Sequence, residues 1–367
     1  MSPVYNFNPG PAILPREALE RAQRELLDYQ GRGMSILEMS HRSSEYEALN
    51  AGAEQRIKQL LGLGDDYRVL FLQGGASLQF AMVPLNFLPP DASADYIVTG
   101  SWAEKALEEA RMIGAARAAV SSQAGGYRAM PSVSRTDLDP QAAYVHITTN
   151  ETIQGVQWHD LPDTGDLPLV ADMSSDILSR PLDGRRFALI YAGAQKNLGP
   201  AGATVVIIRD SFLERAAETT RRGRVIPTML SYATHVKSRS LYNTPPVFAV
   251  YMLNLVLDWI ESVGGLEAIA ARNRQKAETL YRAIDASGGF YRGHAEKAHR
   301  SLMNVTFRLP DPQLEKQFVA EAAEQGMVGL AGHRSVGGIR ASIYNAMDLE
   351  GCQALASFME EFLRRNG

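Results

Sequence analysis

Residues 172–197 read DMSSDILSRPLDGRRFALIYAGAQKN, and this stretch organises the chain because it sets a carboxylate and a lone lysine at the ends of two apolar runs. Leu167–Ala171 precedes Asp172, and Phe187–Ala192 precedes Lys196. Both runs have the length and apolar density of strands buried on both faces. Two neighbouring parallel strands then deliver one acid and one amine to the same rim, where open α/β sheets bind their ligands.

A desolvated lysine shifts its pKa readily and becomes a nucleophile toward carbonyls. Pyridoxal phosphate needs such a lysine for its aldehyde, and an acid against its ring nitrogen so that the ring draws electrons. Asp172 and Lys196 supply both. Each also has a plain structural reading, Asp172 as the cap of MSSDILS and Lys196 as a solvated residue before the turn at Gly199 and Pro200.

The rest of the composition narrows the class. A chain of 367 residues, 45% hydrophobic, can bury one large core and a smaller one, which predicts two domains. The formal net charge is −4 and no long Lys/Arg block occurs. The densest basic cluster, Arg221, Arg222 and Arg224, reads as a solvated loop, so no nucleic-acid partner is expected. Cys352 is the only cysteine, which leaves no internal disulfide and no multi-cysteine zinc site; no metal is expected. The N-terminus lacks a charged segment followed by an apolar one, and no apolar run approaches ~20 residues. The expectation is a soluble cytoplasmic protein with no membrane partner.

Residues 1–14, rich in proline and aperiodic, predict an extended arm. A helical pattern runs from Pro15 through Leu26 and Leu27 toward Gly31 and Gly33. His41 and Arg42 then fall in a loop before a helix starting near Ser43 or Ser44, a position that suits an anion or an ordinary surface loop. Arg68–Gln73 predicts a strand, followed by GGAS at 74–77 and a helix over Leu78–Leu88 that tolerates Pro84. Strand, glycine pair, serine and helix outline a phosphate cradle, though the nucleotide fingerprints are absent.

Further strands are predicted at Asp95–Val98, Ala115–Val120, Ala143–Ile147 and Thr204–Ile208, giving seven with helices between most of them. The predicted class is α/β: a mostly parallel seven-stranded sheet with helices on both faces. TGSW puts Trp102 at a helix start on the same rim, where an indole covers a planar ring or packs the helix on the sheet. TTNETIQG puts Thr152 within reach of a ring oxygen, or in an ordinary turn.

Residues 209–240 read as polar and irregular between short helical stretches. The paired prolines 245 and 246 start a long helix that breaks at Gly264 and Gly265, with Asn243 and Thr244 ahead of it in an anion-facing or capping position. Beyond Gly265 the pattern becomes helix, strand, helix, glycine-rich stretch, strand and helix, a smaller α+β domain. We therefore divide the chain into a large domain, 16–262, and a small one, 263–367 with the arm 1–15. Within GLAGHRSVGGIRASIYNAM, His333, Arg334 and Arg340 sit in or beside glycine-rich backbone, where arginines grip carboxylate or phosphate or make structural ion pairs.

Read together, NFNPGPAILP, EMSHRS, FLQGGASLQF, TGSWAEKA, TTNETIQG, VADMSSDILSRP, YAGAQKNLGPAG, YNTPPVF and GHRSVGGIRASIYNAM resemble the phosphoserine aminotransferases, class V, fold-type I pyridoxal-phosphate enzymes, along nearly the whole chain. The resemblance implies that Lys196 holds the cofactor aldehyde and, once freed, moves a proton between the substrate Cα and the cofactor. It implies Asp172 against the pyridinium nitrogen, Trp102 on the ring face and Thr152 on the phenolic oxygen. Ala76, Ser77 and Gln195 would hold the phosphate, with Asn243 and Thr244 from a second subunit of a homodimer that shares its active sites. Arg340 would clamp the α-carboxylate, with His41, Arg42, His333 and Arg334 around the substrate phosphate or distal carboxylate.

The implied reaction moves the amino group of glutamate to 3-phosphohydroxypyruvate, and in some relatives to 3-hydroxy-2-oxo-4-phosphobutanoate of pyridoxine biosynthesis. Some relatives carry an arginine where this chain has Ser77, which alters the charge near the phosphate. Two rivals stand beside this reading. A desulfurase-type lyase needs a mobile catalytic cysteine, whereas Cys352 opens an amphipathic helix and should be packed. A sensor that binds the cofactor without turnover never exchanges amino groups.

Overall fold

A computed structural model describes residues 4–367. Seven strands form one sheet: β1 Tyr67–Leu72, β2 Ser93–Val98, β3 Ala115–Ser121, β4 Val145–Thr148, β5 Leu169–Asp172, β6 Leu189–Gly193 and β7 Thr204–Arg209. Their spatial order is β1-β7-β6-β5-β4-β2-β3. All neighbours run parallel except β7, which pairs antiparallel with both β6 and β1. The central strands β4, β5 and β6 are buried along their whole length, as strands covered by helices on both faces must be.

Helices fill both faces. One core joins Leu169, Ala171, Ile190 and Ala192 to α1 (Arg16–Glu25), α2 (Ser44–Leu60) and α7 (Val247–Ser262). Helix α7 is apolar nearly all round and correspondingly buried all round. The opposite core joins Val170, Leu189 and Tyr191 to α3 (Gly75–Phe87), α4 (Ser101–Ile113), α5 (Asp210–Arg221) and α6 (Tyr232–Lys237). Pairwise alternation along each strand decides which core a residue enters.

A third core lies in the C-terminal part, where α8 (Gly265–Asp285), α9 (Pro312–Glu324) and α10 (Leu349–Asn366) pack on a small antiparallel sheet of β8 (Arg292–Gly293), β9 (Asn304–Arg308) and β10 (Ile339–Ser342). Phe7 of the N-terminal arm enters this core, and Tyr5–Asn6 pairs with Met327–Val328. The predicted arm is therefore tied down at residues 5–7, and its first three residues lie outside those described. Cys352 is fully buried here.

The elements differ from the sequence reading in four places. Helices are expected between most strands, but from β3 to β7 the strands are joined only by 3-10 turns, loops and one small hairpin, and the covering helices come from elsewhere in the chain. Helix α3 starts at Gly75 rather than Leu78, because Gly74 and Gly75 adopt left-handed φ values of 88° and 64° and turn the chain before Ala76. Segment 209–240, expected to be irregular between short helical stretches, holds the short α6 and also the 12-residue amphipathic α5. Helix α1 ends at Glu25, and a short 3-10 turn at Tyr29–Gly31 replaces its expected last turn. Among the described residues no single helix is long and apolar enough to cross a membrane, and no group of three or more His, Cys, Asp or Glu side chains could hold a metal.

Candidate active site

Asp172 is the last residue of β5, in register with Thr148 of β4 and Tyr191 of β6. Three residues beyond the end of β6, Lys196 sits in the connection to β7, which Ala194 closes by donating its N–H to the carbonyl of Ala203 at 3.0 Å. The Nζ of Lys196 donates a 2.8 Å hydrogen bond to Oγ1 of Thr152 and lies 5.6 Å from the ring centroid of Trp102. All four side chains line one cavity of about 250 Å³, together with Ala76, Ser77, Gln195, His333 and Arg340.

Electrostatics follow from burial. Desolvation lowers the Lys196 amine to about 8, with Asp172 opposing the shift and Arg340 adding to it. Burial raises the Asp172 carboxyl, and the N–H of Ser174, which donates to its Oδ1 at 2.8 Å, pulls the other way. The lysine is thus a nucleophile near neutrality, beside an acid that two strands hold in place.

At the opposite end of the cavity α3 presents its first turn, with Gly75, Ala76 and Ser77 on the wall. The first N–H groups of a helix have no partner within it and carry its partial positive charge, which suits an anion. Gly74 is fixed sterically as well: a Cβ there would lie 2.7 Å from Cβ of Leu78.

From the third core, β10 brings Arg340, which is only 7% exposed. His333 lines the cavity half-buried, its Nδ1 against Oγ of Ser335 at 2.7 Å. Arg334 is exposed and does not line it, and neither do His41, Arg42, Asn243 or Thr244. The fold brings together nine of the residues singled out from the sequence and leaves these five outside the cavity of their own chain. The sequence reading missed Thr148, Asn150, Ser174 and Ser175 on the wall, and Glu151 behind it. Lone Ser, Thr and Asn residues carry no pattern, although their place immediately after apolar runs marks the strand ends.

The cavity fits pyridoxal phosphate by its own chemistry. Buried atoms without a partner face or flank it: the indole N–H of Trp102, the hydroxyl of Thr148 and Nε of Arg340. Buried polar groups of that kind mark a site that expects a polar ligand. An amine, a carboxylate, an aromatic face and a helix N-terminus are what the aldehyde, the ring nitrogen, the ring plane and the phosphate require. Cys352 is absent from the wall, and burial pushes its thiol up to about 12.

The family model for aminotransferase class-V matches residues 4–355. The chain is similar to the phosphoserine aminotransferase of Geobacillus kaustophilus (strain HTA426), 60% identical over 365 residues that cover 100% of this chain and 99% of the other. It superposes on the solved phosphoserine aminotransferase from Bacillus circulans subsp. alkalophilus with a TM-score of 0.95 at 56% identity, covering 100% of both chains. A solved structure concerned with radiation damage of the Schiff base in phosphoserine aminotransferase gives a TM-score of 0.94 at 53% identity, covering 99% of each chain.

Proposed function

Because the chain belongs to the class-V aminotransferases, we infer that it catalyses the phosphoserine aminotransferase reaction, moving the amino group of glutamate to 3-phosphohydroxypyruvate to give 2-oxoglutarate and phosphoserine. The observation that carries this reading is the convergence of Lys196, Asp172, Thr152 and Trp102 on one cavity that also holds Arg340 and a helix N-terminus. Lys196, Asp172, Trp102, Thr152, Gln195, Ala76 and Ser77 would hold pyridoxal phosphate. When bound, that group supplies an electron sink for the charge left when a substrate Cα–H bond breaks.

The chain's own residues do the rest. Lys196 Nζ, its proton affinity lowered by burial, takes the proton from the substrate Cα and gives one back. Asp172 would keep a proton on the ring nitrogen, because a buried carboxylate favours the charged form of a base placed against it. Arg340 grips the substrate α-carboxylate in a bidentate fork and so aims the Cα–H at Lys196. His333, on the cavity wall, would face the distal phosphate or carboxylate, and Arg334, outside the cavity in this chain, would reach it only by a change of its exposed loop.

His41, Arg42, Asn243 and Thr244 act from a second copy of the chain. Supporting this homodimer, Leu37, four residues before His41, and Tyr242, next to Asn243, are large apolar side chains left exposed. In this reading the cavity lies between a large unit, 16–262, and a small unit of 263–367 with the arm 1–15. A cytoplasmic location fits the single free cysteine.

The test is direct. Purified protein carries a visible absorbance that glutamate removes and 3-phosphohydroxypyruvate restores, and phosphoserine forms in step. A protein that binds the cofactor but leaves its absorbance unchanged with glutamate is no aminotransferase of this kind. Parallel turnover of 3-hydroxy-2-oxo-4-phosphobutanoate measures whether the four-carbon acid is a second substrate.

A further inference from the structure

Behind the cavity wall lies a fully buried carboxylate that none of these roles uses. Glu151 is 0% exposed, and its oxygens accept from the backbone N–H groups of Trp102 at 3.1 Å and Ala103 at 3.0 Å, with Oγ1 of Thr99 at 3.4 Å. These N–H groups are the orphan donors at the start of α4. Gln154 completes the clamp: its Oε1 accepts from the N–H of Ser101 at 3.3 Å, and its Nε2 donates to Oγ of Ser101 at 2.8 Å.

Glu151 belongs to a two-residue hairpin strand, Asn150–Glu151, paired with Val156–Gln157. The next residue is Thr152, which accepts from Lys196. The turn TGSW is shaped around the acid, since a Cβ on Gly100 would lie 2.6 Å from Cδ of Glu151. The backbone of Trp102 and the hydroxyl that holds Lys196 are thereby fixed to one another through a single side chain.

We propose that Glu151 is a positioning residue, which sets the Trp102 indole against the ring of the bound cofactor and keeps that plane in register with Thr152. Ring and amine then stay aligned because one hairpin carries both anchors. The proposal rests on the reading of the cavity as a pyridoxal-phosphate site. A neutral amide cannot do the same work: Trp102 and Ala103 donate to different oxygens, so its NH₂ group would face one of the two N–H donors, where a carboxylate offers each an acceptor.

The test is a double-mutant cycle with Glu151→Gln and Trp102→Phe, read as the dissociation constant for pyridoxal phosphate added back to stripped protein. Residues behind a binding site are typically worth about 10–100-fold when removed. Each single variant is expected to weaken binding about tenfold, and the double variant no more than the weaker-binding single. Multiplied effects in the double variant, or unchanged affinity in Glu151→Gln, overturn the proposal. Should Glu151→Gln not fold, Gly100→Ala displaces the same carboxylate without altering its charge, and the same cycle applies.

A second readout needs no cofactor. Amide hydrogen exchange at Trp102 and Ala103 in stripped protein should quicken at least about tenfold in the variant, as lost helix caps allow. Unchanged exchange there also overturns the proposal. A wild-type protein that shows protected amides but no affinity for pyridoxal phosphate would contradict the functional reading and leave the clamp standing.

Discussion

The amine of Lys196 donates a 2.8 Å hydrogen bond to the hydroxyl of Thr152, so the nucleophile is aimed across the cavity by a residue of a neighbouring hairpin and not by its own loop. Burial makes this amine acidic, at about 8, against an ordinary lysine near ~10.4. In cofactor-free protein an amine-reactive reagent should therefore modify Lys196 half-maximally near pH 8, as peptide mapping across a pH series would report. The sign for stability follows. Between about pH 8 and ~10.4 the unfolded chain holds a proton that the folded one has released, so this group's contribution to stability rises with pH through that window. Denaturant titrations of wild type and Lys196→Met should differ in that slope.

Asp172→Asn fills the same volume and keeps an oxygen for the N–H of Ser174, so the fold should survive. It removes the charge that, in the proposed function, would keep the cofactor's ring nitrogen protonated. By analogy with deletion of one preorganised electrostatic partner, kcat/KM is expected to fall about 10²–10³-fold. Steady-state assays with matched thermal melts check this; an amide variant with near-wild-type turnover refutes the role.

Arg340 is buried with its Nε unpartnered, which costs stability unless an anion is gripped there. Arg340→Leu should raise KM for glutamate by about 10–100-fold, the worth of a charge-assisted hydrogen bond, while thermal stability holds or improves. A variant that loses kcat alone would place the carboxylate elsewhere.

Gly155 closes the hairpin that bears Glu151 and Thr152. Its φ is +70°, and a Cβ would lie 2.6 Å from Oγ1 of Thr306 and 2.7 Å from the carbonyl oxygen of Asn304. Gly155→Ala combines a strained backbone with a clash against main chain, so it should destabilise by more than ~1 kcal/mol and weaken cofactor binding with it. Urea unfolding measures the first and cofactor titration the second.

Lys276 of α8 is fully buried and donates to the carbonyls of Ile343 at 2.9 Å and Tyr344 at 2.7 Å, just beyond β10. Desolvation lowers its amine to about 7. The wild-type fold is thus penalised for charging this group, and its contribution rises with pH from about 7 toward the ordinary value. Lys276→Met should remove that slope while leaving the Ile343 carbonyl unpaired, since that of Tyr344 keeps the N–H of Met347 at 2.9 Å, a loss of about 1–3 kcal/mol for the one unsatisfied group, read by unfolding at pH 8.

The strand ends were the legible part. Asp172 and Lys196 announce themselves because each follows an apolar run with no other reason to stop at a charge, and Trp102 and Thr152 follow in the same way. The edge of α3 was less legible, since Gly74 and Gly75 read equally as a loop and as the turn that begins a helix. Glu151 was illegible: an acid after a strand reads as solvent-facing, and only the fold reveals that α4 lays its first N–H groups over it. His41, Arg42, Asn243 and Thr244 carry a family pattern, yet one chain by itself keeps them away from the cavity.

The reversed strand β7 has a mechanical result. Strand β6 returns at once as the antiparallel β7, so the ten residues from Ala194 to Ala203 form a bridge with both abutments in adjacent strands. Lys196 rides on that bridge. With both ends of the bridge held in the sheet, travel of the nitrogen is expected to come from rotation about the four methylene groups of the side chain.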